Sequence, residues 1–277
     1  MLASQSDGTL HAELAMKLAL LGDIHANLPA LEAVLADIDA RSDIHTVLHM
    51  GDLVGYGPWP NEIVALIWER RIPGVAGNYD STVATGHKHC GCRYENSRQE
   101  ELSHRSYQWT LGRVWAETKR FLGSLPFRLD VRPGGGHASG AQLILFHGAP
   151  TRNTLYLDAD RPDDFLATMA RKAAAREGDL LAFGHTHIPW RREVDGVHFL
   201  NVGSVGKPKD GDWRAAYALV EFDDGESPTS EIVRVEYDLD RIAVAIRESG
   251  LPEEFSQLLR TGGHLDETPS ADDLTNL

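Results

Sequence analysis

Apolar and polar positions along the chain follow two alternating rhythms. Short apolar runs, KLALL (17–21), TVLHM (46–50) and IPGVA (72–76), are separated by stretches in which apolar residues recur every three or four positions. Short apolar runs closed by turn residues read as buried strands, and the three-to-four spacing reads as amphipathic helix. Leu31, Val34, Leu35 and Ile38 share one face of a helix predicted over 28–40. Asn27 caps its start, and Pro29 falls in the first turn, where no amide hydrogen bond is lost. Helices are also predicted over 61–70, over 97–122 with Leu102, Trp109, Leu111, Val114, Trp115 and Phe121, and over 162–176. QLILF (142–146) and DLLAF (179–183) are further strands. Strand and helix alternating in this way is a βαβαβ signature, so the fold class is α/β.

After Trp190 the pattern changes to three strand-like runs, EVDGVHFLNV (193–202), AAYALVEFDD (215–224) and EIVRVEYDL (231–239), separated by Gly-, Asp- and Pro-rich turns. A largely antiparallel second half follows, giving two sheets packed face to face with helices outside. The Gly-rich segment RPGGGHASGA (132–141) reads as a hairpin loop or mobile turn. Residues 1–16 are polar and irregular and are expected to form a disordered extension, with Met16 an alternative translation start. Residues 17–260 are expected to form one domain, and 261–277 a flexible tail.

Composition adds limits. Of 277 residues, 42% are hydrophobic, enough for a sizeable core. The longest apolar runs fall well short of a membrane span, and the first residues lack the basic and apolar regions of a secretory signal, which makes the cytoplasm the default location. Cys90 and Cys92 are expected to lie too close in sequence for an ordinary structural disulfide. The net charge of -14 disfavours a surface that tracks nucleic-acid phosphates and suits a small phosphorylated substrate better.

The chemistry is concentrated where the apolar runs stop. Five of them end in short clusters: GDIH (22–25), GD (51–52), GN (77–78), HG (147–148) and GHTH (184–187). In open α/β sheets ligands bind beyond the carboxyl ends of strands, so these clusters can converge on one crevice. The potential ligands are Asp23, His25, Asp52, Asn78, His147, His185 and His187. Carboxylate, imidazole and amide without thiolate suit Mn, Fe, Zn, Ni or Co, with Mn the first choice. Seven donors exceed what one ion takes and suffice for two if one carboxylate bridges.

In order and rough spacing, D-x-H, G-D, G-N-x-D, H-G and G-H-x-H resemble the calcineurin-like metallophosphoesterases, over Lys17 to about Tyr237. GDIHAN, GNYD and NVGSVGKP are similar to segments of the small bacterial and archaeal phosphoesterases, the YfcE-like branch. The resemblance implies a four-layer α/β/β/α sandwich of two mixed sheets flanked by helices. It also implies that Asp23, His25 and His187 hold one divalent metal, Asn78, His147 and His185 a second, and that Asp52 bridges them. Asp52, Asn78 and His185 would be the catalytic members of this set. The expected reaction is hydrolysis of a phosphomonoester or phosphodiester, with a metal-bridging hydroxide attacking phosphorus in line.

Many members of the superfamily carry His after the metal-binding Asn, and here the position is Tyr79. An ordinary tyrosine, with a pKa of about 10, is a poor acid near neutrality, so a preference for acidic leaving groups is expected. Asp80 is expected to orient a ligand histidine, and Asn27, Tyr79, His87, Ser204 and Lys207 are candidate substrate contacts. In GHKHCGC (86–92), His87, His89, Cys90 and Cys92 offer a separate zinc site as an alternative to a plain loop beside the active site. His45, His49, His104, His137 and His198 are read as structural or surface residues. Two other functions compete: a nucleic-acid phosphodiesterase with the same metals, and a non-catalytic protein-interaction scaffold. An oligomer remains compatible with either.

Overall fold

The computed structural model describes residues 16–94, 96–133, 140–223 and 227–265. Of the proposed extension over 1–16, residues 1–15 lie outside the described residues, as do 266–277 of the proposed tail and the glycines 134–136, whereas Met16 opens the first strand. Strands β1 (Met16–Leu21) and β2 (Thr46–His49) pair in parallel, and β8 (Ala215–Phe222) and β9 (Thr229–Val235) extend the sheet antiparallel in the order β2-β1-β8-β9. A second sheet runs β3-β4-β5-β7-β6, from β3 (Arg128–Val131), β4 (Leu143–Phe146), β5 (Leu180–Phe183), β6 (Trp190–Val194) and β7 (Val197–Asn201). Both sheets are mixed, with the β4-β5-β7 core parallel.

Alternation along each strand decides the layering. Leu18 and Leu20 of β1 point to one side and pack with Leu48, Leu143, Leu145, Leu180, Ala182 and Val220 between the sheets. Ala19 and Leu21 point to the other side, against helices α1 (Leu28–Asp39) and α2 (Pro60–Glu69). On the second sheet Ile144, Phe146, Leu181 and Phe183 face α6 (Asp163–Ala173). The result is the α/β/β/α sandwich. Fully burying a leucine or phenylalanine stabilises by roughly 1.5–3 kcal/mol, and β1, β4 and β5 are buried on both faces, so this stack is the main source of stability.

Several elements depart from the sequence reading. Residues 72–76 form only one isolated parallel bridge, between His49 and Gly74, because Pro73 has no amide to place in a ladder. The helix expected over 97–122 is two, α4 (Ser97–Arg113) and α5 (Ala116–Ser124). The break is held by buried Asn61, which donates to Arg113 O at 3.0 Å and accepts from Trp115 N at 2.9 Å and Thr118 Oγ1 at 2.7 Å. The run 193–202 contains a hairpin turn at Asp195 and Gly196, both at positive φ, that joins β6 to β7. Helices α3 (Asn78–Thr85), α7 (Leu239–Ser249) and α8 (Glu254–Arg260), and strand β3, add to the elements that the apolar pattern predicts. Among the described residues no helix is long and apolar enough to cross a membrane.

Candidate metal centre

The parallel pairings put the ends of β1 and β2, and those of β4, β5 and β7, on one edge of each sheet, and the polar clusters follow these ends directly. The loops turn sharply. Asp23, His25, Asp52, His185 and His187 all have positive φ, between 47° and 68°. A non-glycine residue in this region costs on the order of 1–3 kcal/mol, and such strain persists only where surrounding contacts over-determine it. Here the contacts are backbone amides: His25 N donates to Asp52 O at 2.9 Å, Asp23 N to Gly51 O at 3.2 Å and Gly206 N to Asp23 O at 3.0 Å. Gly77 is required by crowding, since a Cβ there would overlap Asp52 Oδ1.

The side chains form two groups of donor atoms. In the first, His25 Nε2 lies 3.1 Å from His187 Nε2, and Asp23 Oδ1 lies 3.3 Å from His187 Nε2 and 3.9 Å from His25 Nε2. In the second, His147 Nε2 lies 2.9 Å from Asn78 Oδ1 and 3.1 Å from His185 Nδ1. Asp52 Oδ2 stands between them, 3.7 Å from His25 Nε2 and 3.5 Å from His147 Nε2. All seven residues are at least 96% buried, since none is more than 4% exposed. Asp23, His25 and His187, and likewise Asp52, His147 and His185, have the make-up of a metal site.

Backbone carbonyls fix three of the imidazoles. Nδ1 of His25, His147 and His187 lies 3.1, 2.8 and 2.6 Å from the carbonyls of Val54, Met50 and Lys207. A carbonyl only accepts, so each Nδ1 carries the proton and each Nε2 presents a lone pair to the centre. Asp23 Oδ2 accepts from His185 N at 2.8 Å and Asp52 Oδ1 from Tyr79 N at 2.9 Å, which leaves the other carboxylate oxygen of each facing inward. Asp23 Oδ1 and His185 Nε2 are buried with no hydrogen-bond partner among the described residues. Lone pairs converging at 3–4 Å, with an orphaned carboxylate oxygen, fit divalent cations with bonds of about 2.0–2.2 Å to N and O.

Electrostatics agree. Burial, with the carboxylates of Asp80 and Asp23 nearby, pushes Asp52 up to about 8 against the pull of His147. His147 is raised: burial opposes this, and Asp52 and Asp23 outweigh it. Burial holds His25, His185 and His187 well below the usual imidazole range. Without metal the centre thus favours a proton on Asp52 and on His147 beside three imidazoles held neutral, and a divalent cation would take the place of those protons.

The other sequence candidates fare differently. Asp80 does not orient a ligand histidine: its carboxylate accepts Leu53 N and Gly77 N, both at 2.9 Å, and so positions the backbone beside Asp52 and Asn78. Tyr79 is not a substrate contact, because its ring is fully buried with the hydroxyl directed at Ser103 and Ser106. Asn27 is fully engaged, accepting from Ala30 N at 3.2 Å and donating to Gly206 O at 3.0 Å. Ser204 Oγ donates to Asp23 O at 2.7 Å and accepts from Lys207 N at 2.8 Å, so it ties down Asp23 rather than facing a ligand. His87 is exposed, outside both donor groups. Lys207 is the candidate that stays beside the centre, sharing a small cavity with His25, its Nζ 4.3 Å from the centroid of the Tyr56 ring.

Cys90 and Cys92 correct the sequence reading most directly, since they form a disulfide. Gly91, at a φ of 77°, folds the chain back and brings the flanking Cα atoms to 5.5 Å, a separation within the disulfide range. The alternative zinc site in this loop has no metal-binding group among the described residues. Tyr56 and Tyr156 were missed. The Tyr56 ring packs edge-on against His25 at 5.0 Å, and the Tyr156 ring lies 3.8 Å from His185, with the Arg93 guanidinium 4.3 Å from the Tyr156 centroid. Neither tyrosine belongs to a spacing pattern, and only folding brings each to its histidine.

Known proteins share this architecture. The calcineurin-like phosphoesterase superfamily domain matches residues 16–225. An uncharacterized protein of Methanocaldococcus jannaschii is 32% identical over 268 residues, covering 88% of this chain and 98% of its own. The phosphodiesterase YfcE of Escherichia coli is 25% identical over 218 residues, covering 75% and 89%. The crystal structure of a metallophosphoesterase from Sphaerobacter thermophilus superposes with a TM-score of 0.68 at 29% identity, covering 90% of this chain and 100% of that one. A hypothetical protein from Pyrococcus horikoshii reaches 0.75 at 23% identity over the same shares, a likeness of fold. With the sandwich and the donor groups at its strand ends, the chain belongs to the calcineurin-like phosphoesterase superfamily, in its YfcE-like branch, and is in general terms a metal-dependent phosphoesterase.

Proposed function

We infer that the chain hydrolyses a small phosphomonoester or phosphodiester at a dinuclear centre, with Asp23, His25 and His187 holding one cation, Asn78, His147 and His185 the other, and Asp52 shared. The observation that carries this reading is the position of Asp52 Oδ2, within 3.7 Å of a donor nitrogen in each group. Two divalent cations held there would supply Lewis acidity at the phosphoryl oxygens and a water activated for attack at phosphorus. Nitrogen and oxygen donors without thiolate favour Mn, with Fe, Zn, Ni or Co as alternatives.

The chain's own groups prepare the centre. The carbonyls of Val54, Met50 and Lys207 keep three imidazoles aimed before substrate arrives, so little reorganisation is needed. Lys207 stands beside His25; burial holds its amine well below the ordinary lysine range, and an incoming phosphate would favour its protonated form. The net charge of -14 supports a small substrate over a nucleic acid. A screen of generic mono- and diesters supplemented in turn with Mn, Fe, Zn, Ni and Co, run beside Asp52→Asn, tests the reading. Turnover by the parent chain that disappears in the variant supports it, and no turnover with any of the five metals sinks it.

A further inference from the structure

The loop after α3 carries a feature the hydrolytic reading does not use. Cys90 is buried and Cys92 only partly so. Cys92 lines a solvent-open cavity of about 830 Å³, together with Lys88, His89 and His104. Three donors surround the inner sulfur: Cys92 N at 3.3 Å, the Ser103 hydroxyl at 3.5 Å and the Tyr94 hydroxyl at 3.6 Å. The same turn grips Asn78, whose Nδ2 donates to Cys90 O at 3.0 Å and lies 3.5 Å from Cys92 Sγ. The opposite end of that amide, Oδ1, faces His147 Nε2 at 2.9 Å. One side chain therefore links the disulfide to the second donor group.

We propose that Cys90–Cys92 is a reversible thiol–disulfide site, attacked at Cys92 by a dithiol, whose oxidation state sets how firmly Asn78 is held toward the second metal position. Cys92, on the cavity wall, is the more accessible of the two, and the buried Cys90 sulfur has donors to receive an electron pair. A thiolate of the dithiol bonds to Cys92 Sγ as the Cys90–Cys92 bond breaks, and Cys90 leaves with the electron pair and takes up a proton. The second thiol of the dithiol, losing its proton, attacks its partner sulfur in the mixed disulfide, and Cys92 leaves and is protonated. The dithiol gives up two electrons and two protons, and the cysteine pair gains both. Opening the turn frees the Cys90 carbonyl to move, and Asn78 loses the contact that aims its Oδ1.

The inference rests on Asn78 being a metal ligand, and its test separates the two claims. Intact protein is reduced with dithiothreitol under argon, desalted, and reoxidised with glutathione disulfide, with the mass read at each stage. Mn binding to both forms is followed by equilibrium dialysis. The proposal expects reversible gain and loss of two hydrogens, with the weaker of two Mn sites loosened about tenfold on reduction, the size of effect typical when a group that orients a ligand is lost. Cys92→Ser and Cys92→Ala should both bind like the reduced form whatever the treatment. Two free thiols persisting under oxidant, equal Mn binding by both forms, or a Cys92 variant that binds like the oxidised form would each overturn it while leaving hydrolysis standing. If neither form binds Mn, the redox coupling and the dinuclear reading fall together.

Discussion

The Nε2 atoms of His25 and His187 face each other at 3.1 Å although the Nδ1 atom of each ring donates to a backbone carbonyl. With both protons on Nδ1, two lone pairs meet, an arrangement that repels unless a cation sits against both. Mn should therefore stabilise the fold. At a concentration one hundred times Kd the gain is about 2.7 kcal/mol, which for a chain of this size raises Tm by roughly 5–10 °C. A thermal melt with Mn and then excess EDTA checks this, and His187→Ala should remove most of the shift.

Asp52→Asn should separate folding from catalysis. The amide oxygen can still accept Tyr79 N, so the loop is kept, while the shared carboxylate charge is lost. Activity is expected to fall by more than about 100-fold, beyond the usual cost of losing a group that only orients a ligand. In metal-free protein the same change should flatten the fall in stability between about pH 4 and pH 8. Asp52 is raised to about 8 in the fold, above its unfolded value near 4, so the stability it confers is complete at low pH and is lost as pH rises through that window. Urea melts of both proteins at pH 5 and pH 9 would show it.

His49 should govern part of the acid side. It is fully buried, its Nε2 has no hydrogen-bond partner among the described residues, and burial lowers it to about 3. The unfolded chain takes up that proton near pH 6.5, so stability falls as pH drops from there toward 3. At pH 5 the deficit from this residue is about 2 kcal/mol. His49→Leu should show a correspondingly smaller loss between pH 7 and pH 5 in denaturant titrations.

Tyr79→Phe should leave turnover nearly unchanged, within about twofold, for aryl and alkyl phosphates alike, since interactions absent from the transition state do not alter rate. The ring packs edge-on against His25 at 5.7 Å, its hydroxyl is buried beside Ser103 and Ser106, and burial holds it well above the ordinary tyrosine range. A selective loss on alkyl esters would restore it as a proton donor.

The strands were readable because a buried strand must be apolar, and KLALL, QLILF and DLLAF leave few other structures open. The donor residues were readable because they follow those strands at once. Helix α3 was hidden, since its turn from Gly77 is held by Asp80, a side chain that also takes Leu53 N from a loop 27 residues away. The break between α4 and α5 was hidden for a similar reason, depending on Asn61 more than 50 residues earlier.

Order along the chain determined the layers and the inventory of nitrogen and oxygen donors, because burial pattern and residue chemistry are local properties. Tertiary structure alone decided which oxygen of Asp52 stands between the donor groups, that Tyr79, Asn27 and Ser204 turn inward, and that Cys90 and Cys92 close on each other beside Asn78. Those outcomes depend on distances between segments far apart in sequence, and no spacing along a single chain encodes a distance across the fold.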